Sequence, residues 1–128
     1  MKIKTADLIG PALDWAVAQC ESVEVEYIND GITRCLLRVS PFTSMYRPSV
    51  DWAIGGSLIE RENIGLEKHR LDGPNQWAAC DWHPVVVQGY TCLERSKYVY
   101  GPGPLIAAMR CVAASRLGDE VDVPDELV

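Results

Sequence analysis

Cys80, Asp81 and His83 fall within four residues, and Cys92 follows nine residues after His83. Two thiolates and an imidazole are zinc ligands by type. A structural zinc site needs four ligands, most often with close CxxC pairs, and this chain has no such pair. Buried thiols and a loop histidine account for the same residues, so no metal is expected. Cys80 and His83 are also a nucleophile and a base by type, but neither sits in a nucleophile motif and both fall at a candidate strand end.

Gly101-Pro102-Gly103-Pro104 leads into a helix, as phosphate-cradling loops do. Such loops grip an anion with consecutive backbone N–H groups. Pro102 and Pro104 remove two of them, and no GK[ST] sequence follows, so a rigid helix entrance is the better reading. Asp51, Glu60, Arg61 and Glu62 hold carboxylates that acid–base chemistry would need. Asp51 sits near a helix start, where a negative charge is favourable, and the other three read as a solvated helix face. Tyr46, Asp51, Tyr100 and Arg110 are residue types that line small polar pockets. No catalytic residue is assigned and no cofactor is implied.

Four tryptophans accompany a single phenylalanine. Trp15 and Trp52 are expected to pack in the core from helix faces. Trp77 and Trp82, five residues apart on one strand, point to opposite faces of a sheet. One of them therefore faces outward, where tryptophan suits a partner surface.

These residues must be held by elements that the rest of the chain specifies. Thr5 caps a short turn, and Pro11 opens a helix to Glu21 that turns Ala12, Leu13, Trp15, Ala16, Val17 and Cys20 to the core. Val23, Val25 and Tyr27 alternate with Glu24 and Glu26, the pattern of a half-buried strand. Asn29-Asp30-Gly31 makes a turn, with Ile32 to Val39 returning as the partner strand. Ser40 to Pro48 reads as a loop. Ser49 is the expected cap of a second helix, bent at Gly55-Gly56 and restarted by the capping box Ser57-Leu58-Ile59-Glu60. Ile64 to His69, Gln76 to Trp82 and Val85 to Leu93 form a meander, with turns at Asp72-Gly73-Pro74-Asn75 and at His83-Pro84. A last helix runs from Pro104 to Leu117, with Leu105, Ala108, Met109, Val112 and Leu117 as one buried stripe and Gly118 as its stop. The fold class is α+β, an antiparallel sheet of three to five strands covered by about three helices in a sandwich-like arrangement.

The 128 residues make one domain by length, burying roughly two-thirds of the unfolded surface. Residues 1–118 are read as the domain and 119–128 as an acidic tail. Its Asp119, Glu120, Asp122, Asp125 and Glu126 are expected to stay solvated, while Val121, Val123 and Leu127 pack either on a partner or on their own domain. The net charge of −6 disfavours nonspecific nucleic-acid binding. No run approaches the roughly twenty apolar residues of a membrane span, and MKIKTADLIG lacks the apolar core of a signal peptide. A cytoplasmic protein is expected, with Cys20, Cys35, Cys80, Cys92 and Cys111 as free thiols.

The segments MKIKTADLIGPALDWAVA, YRPSVDWAIGGSLIERENIG, NQWAA and YGPGPLIAAMRCVAASRLGDEVDVPDEL together resemble the NinX-like phage proteins, a family of small proteins of unknown function. The order of the segments is the family's. Two positions depart from its pattern, which commonly has threonine at Gly103 and proline at Ser57, and Val23 to Thr43 has no counterpart. The layout is more distantly similar to phage domains described as α/β/α sandwiches. What the resemblance implies is a phage-encoded accessory protein in the host cytoplasm. With no coherent catalytic set, the expectation is a non-enzymatic module that binds a protein partner or a second copy of itself, through candidates Tyr46, Asp51, Trp52, Trp82, Tyr100 and Arg110. The alternative is a small-molecule or nucleotide-binding domain, or an enzyme, with a pocket between the DWAIGG helix and the YGPGP loop.

Overall fold

A computed structural model describes residues 1–28, 36–39 and 45–128. The Asn29-Asp30-Gly31 turn, Cys35 and most of the Ser40 to Pro48 loop lie outside the described residues. In chain order the elements are β1 (Lys2–Lys4), a 3-10 turn (Thr5–Asp7), α1 (Gly10–Cys20), β2 (Val25–Ile28), β3 (Leu36–Val39), α2 (Trp52–Arg61), β4 (Ile64–Lys68), β5 (Trp77–Val87), β6 (Tyr90–Arg95), β7 (Val99–Gly101), α3 (Pro104–Leu117), β8 (Glu120–Asp122) and a closing 3-10 turn (Asp125–Leu127). The α+β expectation holds.

α3 is the axis of the fold. Leu105 and every residue from Ala107 to Ala113 are buried, so the helix is enclosed on more than the single stripe its sequence suggests. Ala108, Met109 and Val112 meet Leu13, Ala16 and Val17 of α1, while Ala107 and Cys111 pack against Ala79 of the sheet. Small side chains on the sheet side let β5 approach closely, and Ala107 and Cys111 lie off the stripe that faces α1. Gly101 takes part in this contact, because a Cβ there would stand 2.7 Å from the backbone N of Ala107.

α2 is one uninterrupted helix that runs through both glycines, with no break or restart at Ser57. Gly55 is required for a close approach: an added Cβ would lie 2.5 Å from Leu105 Cδ1 and would strike the carbonyl oxygen of Pro48. The cap is Asp51, whose carboxylate accepts the Ala53 N–H at 2.9 Å. Ser49 is buried instead, donating its N–H to Asp14 Oδ1 at 2.9 Å. Ser57 starts no new helix; its hydroxyl bonds back to the carbonyls of Ala53 and Ile54. Trp52, expected in the core, is 56% exposed and lies over Gly56 on the outer side of α2.

The main sheet has β4 on one edge of β5, while β6 and β7 follow one another along the other edge. The expected break at His83-Pro84 is absent, since β5 runs straight through it to Val87. From Ala79 to Trp82 β5 advances three residues while its partner covers four, Arg95 to Val99, which is a β-bulge. Ser96 fills it, donating its N–H to the Asp81 carbonyl at 2.9 Å and accepting the Asp81 N–H on its hydroxyl at 3.0 Å.

The chain ends are joined. β8 pairs antiparallel with β1, and the Met1 ammonium meets Asp122 and Asp125, each at 3.0 Å. Thr5 does not cap a turn; it donates its hydroxyl to the carbonyls of Gly118 and Asp119. Val123 and Leu127 are buried in the core, so of the two expectations for the tail's apolar residues, packing on their own domain is the one observed. No described helix is long and apolar enough to cross a membrane.

Candidate functional site

Beyond Asp81 the β5–β6 hairpin leaves the body as an arm. Its turn is Gln88-Gly89, with φ of 51° and 80°, and two successive left-handed residues are the turn whose twist matches a two-residue hairpin. The ladder runs from Trp82 opposite Arg95 to Val87 opposite Tyr90. Opposed residues share a face, so Trp82, Pro84, Val86, Thr91, Leu93 and Arg95 form one side. His83, Val85, Val87, Tyr90, Cys92 and Glu94 form the other. Both sides are rich in apolar residues and both face solvent: Val86 is 74% exposed, Tyr90 77%, Leu93 65%, Val87 53% and Trp82 39%.

The two edges of the arm differ. The Trp82 N–H donates to the Asn63 carbonyl on the β4 side of β5. Antiparallel alternation aims position 84 the same way, past the end of β4, and Pro84 has no N–H to present there. That explains how a proline sits inside a strand. On β6, Tyr90, Cys92 and Glu94 turn their backbone groups to β5, and Thr91, Leu93 and Arg95 turn theirs outward.

The arm is anchored at its base. Gly65 is needed under Trp82, because a Cβ there would come within 2.9 Å of the indole nitrogen. The Arg95 guanidinium lies 4.0 Å from the centre of the Tyr98 ring, and the Tyr98 hydroxyl donates to Glu67 at 2.8 Å. That bond, with His69 beside it, holds the Glu67 carboxyl below its usual range. On the α3 side lies a cleft of about 330 Å³ lined by Arg61, Glu62, Asp81, His83, Ser115 and Arg116 among others. Arg116 and Arg61 are both paired there with Glu62 and Glu21.

Within that cleft Ser115 donates to Asp81 Oδ2 at 2.6 Å, and His83 Nδ1 lies 3.1 Å from Asp81 Oδ1. A hydrolytic triad places the imidazole between hydroxyl and carboxylate. Here the carboxylate stands between the other two, so the imidazole does not face the serine and the order is not that of a triad. Cys80 and His83 lie on opposite faces of β5, with Cys92 on the His83 side. Among the described residues no three His, Cys, Asp or Glu side chains stand close enough to hold a metal ion. Burial raises the Cys80 thiol and lifts that of Cys111 to about 12, which keeps both protonated and inert. Cys20, Cys80, Cys92 and Cys111 are free thiols.

The six candidate residues do not form one cluster. Tyr46 is buried, which pushes its hydroxyl up to about 12, and Asp51 is occupied as a cap. Trp52 is exposed beside it. Arg110 is buried and donates to the carbonyls of Leu8 at 2.7 Å and Tyr100 at 2.9 Å, with burial lowering its pKa. Arg110 and Tyr100 are thus linked, but as a structural brace, with the Tyr100 ring against His69. Trp82 alone belongs to the arm, and it faces the opposite side from half-buried Trp77, as their spacing requires. Sequence reasoning missed Val86, Val87, Tyr90 and Leu93. The signal was there: a Gln-Gly pair flanked by β-branched and aromatic residues, with Val85-Val86-Val87 giving no polar face.

A family model described as Bacteriophage P22, NinX matches residues 4–116, which takes in α1, α2, the whole arm and all but the last residue of α3. No curated protein matches the chain.

Proposed function

The chain belongs to the Bacteriophage P22 NinX family, and on that premise we propose that it is a phage accessory protein that acts in the host cytoplasm by gripping another protein with the β5–β6 arm, without catalysing a reaction. The observation that carries this reading is the exposure of five large apolar side chains on a two-stranded arm. Trp82, Val86 and Leu93 share one face and Val87 and Tyr90 the other, so each face offers on the order of 300 Å² of largely apolar surface, the size at which a monomer's largest patch is often functional. The alternative, a ligand pocket between the DWAIGG helix and the YGPGP loop, has less to support it, because Gly55 is packed against Leu105 and Pro48 at that junction.

The test is retention from phage-infected cells by the tagged chain and by a Val86→Lys/Tyr90→Lys variant. Both positions face solvent, so the variant melts with the parent. The reading expects a protein held by the parent and lost by the variant. Equal retention of every protein other than the chain itself, or none by either, overturns it.

A further inference from the structure

We propose that the occupant of the arm is a second copy of this chain, paired antiparallel edge to edge through β6. This rests on the reading of the arm as a contact element; pairing through the β6 edge leaves the faces that carry Val86 and Tyr90 uncovered, so the Val86→Lys/Tyr90→Lys variant keeps the self-pair. The β5 edge is closed to strand addition by Pro84, which presents no donor at its middle. The β6 edge is open: Thr91, Leu93 and Arg95 turn N–H and C=O outward, and among the described residues none of these groups has a backbone partner.

The edge is also complementary to itself. A two-fold axis perpendicular to the sheet keeps like faces together, so residues of the same parity oppose each other across it. With the axis at Leu93, that residue meets the partner's Leu93, and Thr91 and Arg95 meet the partner's Arg95 and Thr91. All three outward residues are then hydrogen-bonded, and the arm becomes half of a four-stranded sheet. On the other face Glu94 meets the partner's Cys92, so no like charges are directly opposed. Sliding the register by two residues toward the base sets Glu94 against the partner's Glu94. Sliding it toward the tip leaves Arg95 opposite the turn glycine, the partner's Gly89. The Leu93 register is therefore the one favoured by hydrogen bonding and charge together.

Sedimentation velocity of the purified chain at tens to hundreds of micromolar, beside Leu93→Pro and Leu93→Lys, tests this. Proline at 93 removes one outward N–H and leaves the β5–β6 ladder intact, and it mirrors Pro84 directly across the hairpin. Lysine keeps the N–H but puts two ammonium groups together on the axis. We expect a parent dimer whose dissociation constant rises by about tenfold or more in each variant, with unchanged far-UV spectra. A monomeric parent, or a dimer that neither substitution weakens, overturns self-pairing. If the parent is monomeric yet still retains another protein that Val86→Lys/Tyr90→Lys loses, self-pairing alone has failed and the arm reading stands.

Discussion

Asp14 makes the folded state sensitive to pH in a direction opposite to most carboxylates. It lies in α1, 3% exposed, with the Ser49 N–H on one oxygen. Burial raises its pKa from an ordinary 3.8 to about 6, and the Ser49 hydrogen bonds and the charge of Arg47 only partly oppose that rise. An acid held above its unfolded value keeps its proton in the native state where the unfolded chain has lost it. Its contribution to stability is therefore fully present below pH 3.8 and is lost as pH rises through about 6. At about 1.4 kcal/mol per pH unit, that interval corresponds to about 3 kcal/mol. Asp14→Asn removes the titration and keeps an oxygen for the Ser49 N–H; any cost of its extra amide protons is independent of pH. Urea unfolding of both proteins from pH 4 to pH 7 should show the parent falling relative to the variant, by about 2 kcal/mol across the range, since part of the effect is already lost at pH 4. Parallel stability curves for the two proteins would refute the burial argument.

Other outcomes follow from the packing. Met109→Asp places a carboxylate at a position that is 0% exposed, between α3 and α1, and should cost several kcal/mol or abolish folding; an unchanged melting temperature would mean the face is wrong. Truncation after Gly118 removes buried Val123 and Leu127 and the β8 ladder, and should lower stability by about 4 kcal/mol in denaturant titration, taking about 2 kcal/mol for each buried side chain. Gly55→Val drives a branched Cβ into Pro48 and Leu105 and should cost about 2 kcal/mol or more, whereas Gly56→Ala, which meets only Trp52 at 3.8 Å, should be neutral or stabilising in the same assay.

The helices were legible because their signals are local. Pro11 and Pro104 mark helix starts, Gly118 marks a stop, and the apolar spacing of α1 and α3 gives the buried faces. What escaped depended on contacts distant in sequence. Gly55 reads as a helix breaker until Pro48 and Leu105 are brought against it, and Ser49 reads as a cap until Asp14 claims its N–H. β1 and β8 are short strands at opposite chain ends, with no local pattern to announce their pairing. The arm was hidden for another reason. Pro84 signals a turn by its chemistry, and only the position of its missing N–H on an unpaired edge makes it compatible with a strand. Of the six candidate residues Trp82 alone is on the arm; Arg110 and Tyr46 are polar groups enclosed by the fold, which composition cannot distinguish from groups lining a pocket.

The central claim is that the arm is where this protein meets another. A photo-crosslinking amino acid placed at Tyr90, near the arm tip, and separately at exposed Val50, remote from it in the sequence before α2, tests that claim in phage-infected cells. The account predicts a protein adduct from position 90 and none from position 50, with a mass of twice the chain if the partner is a second copy. Adducts of equal yield from both positions, or none from position 90, would contradict it.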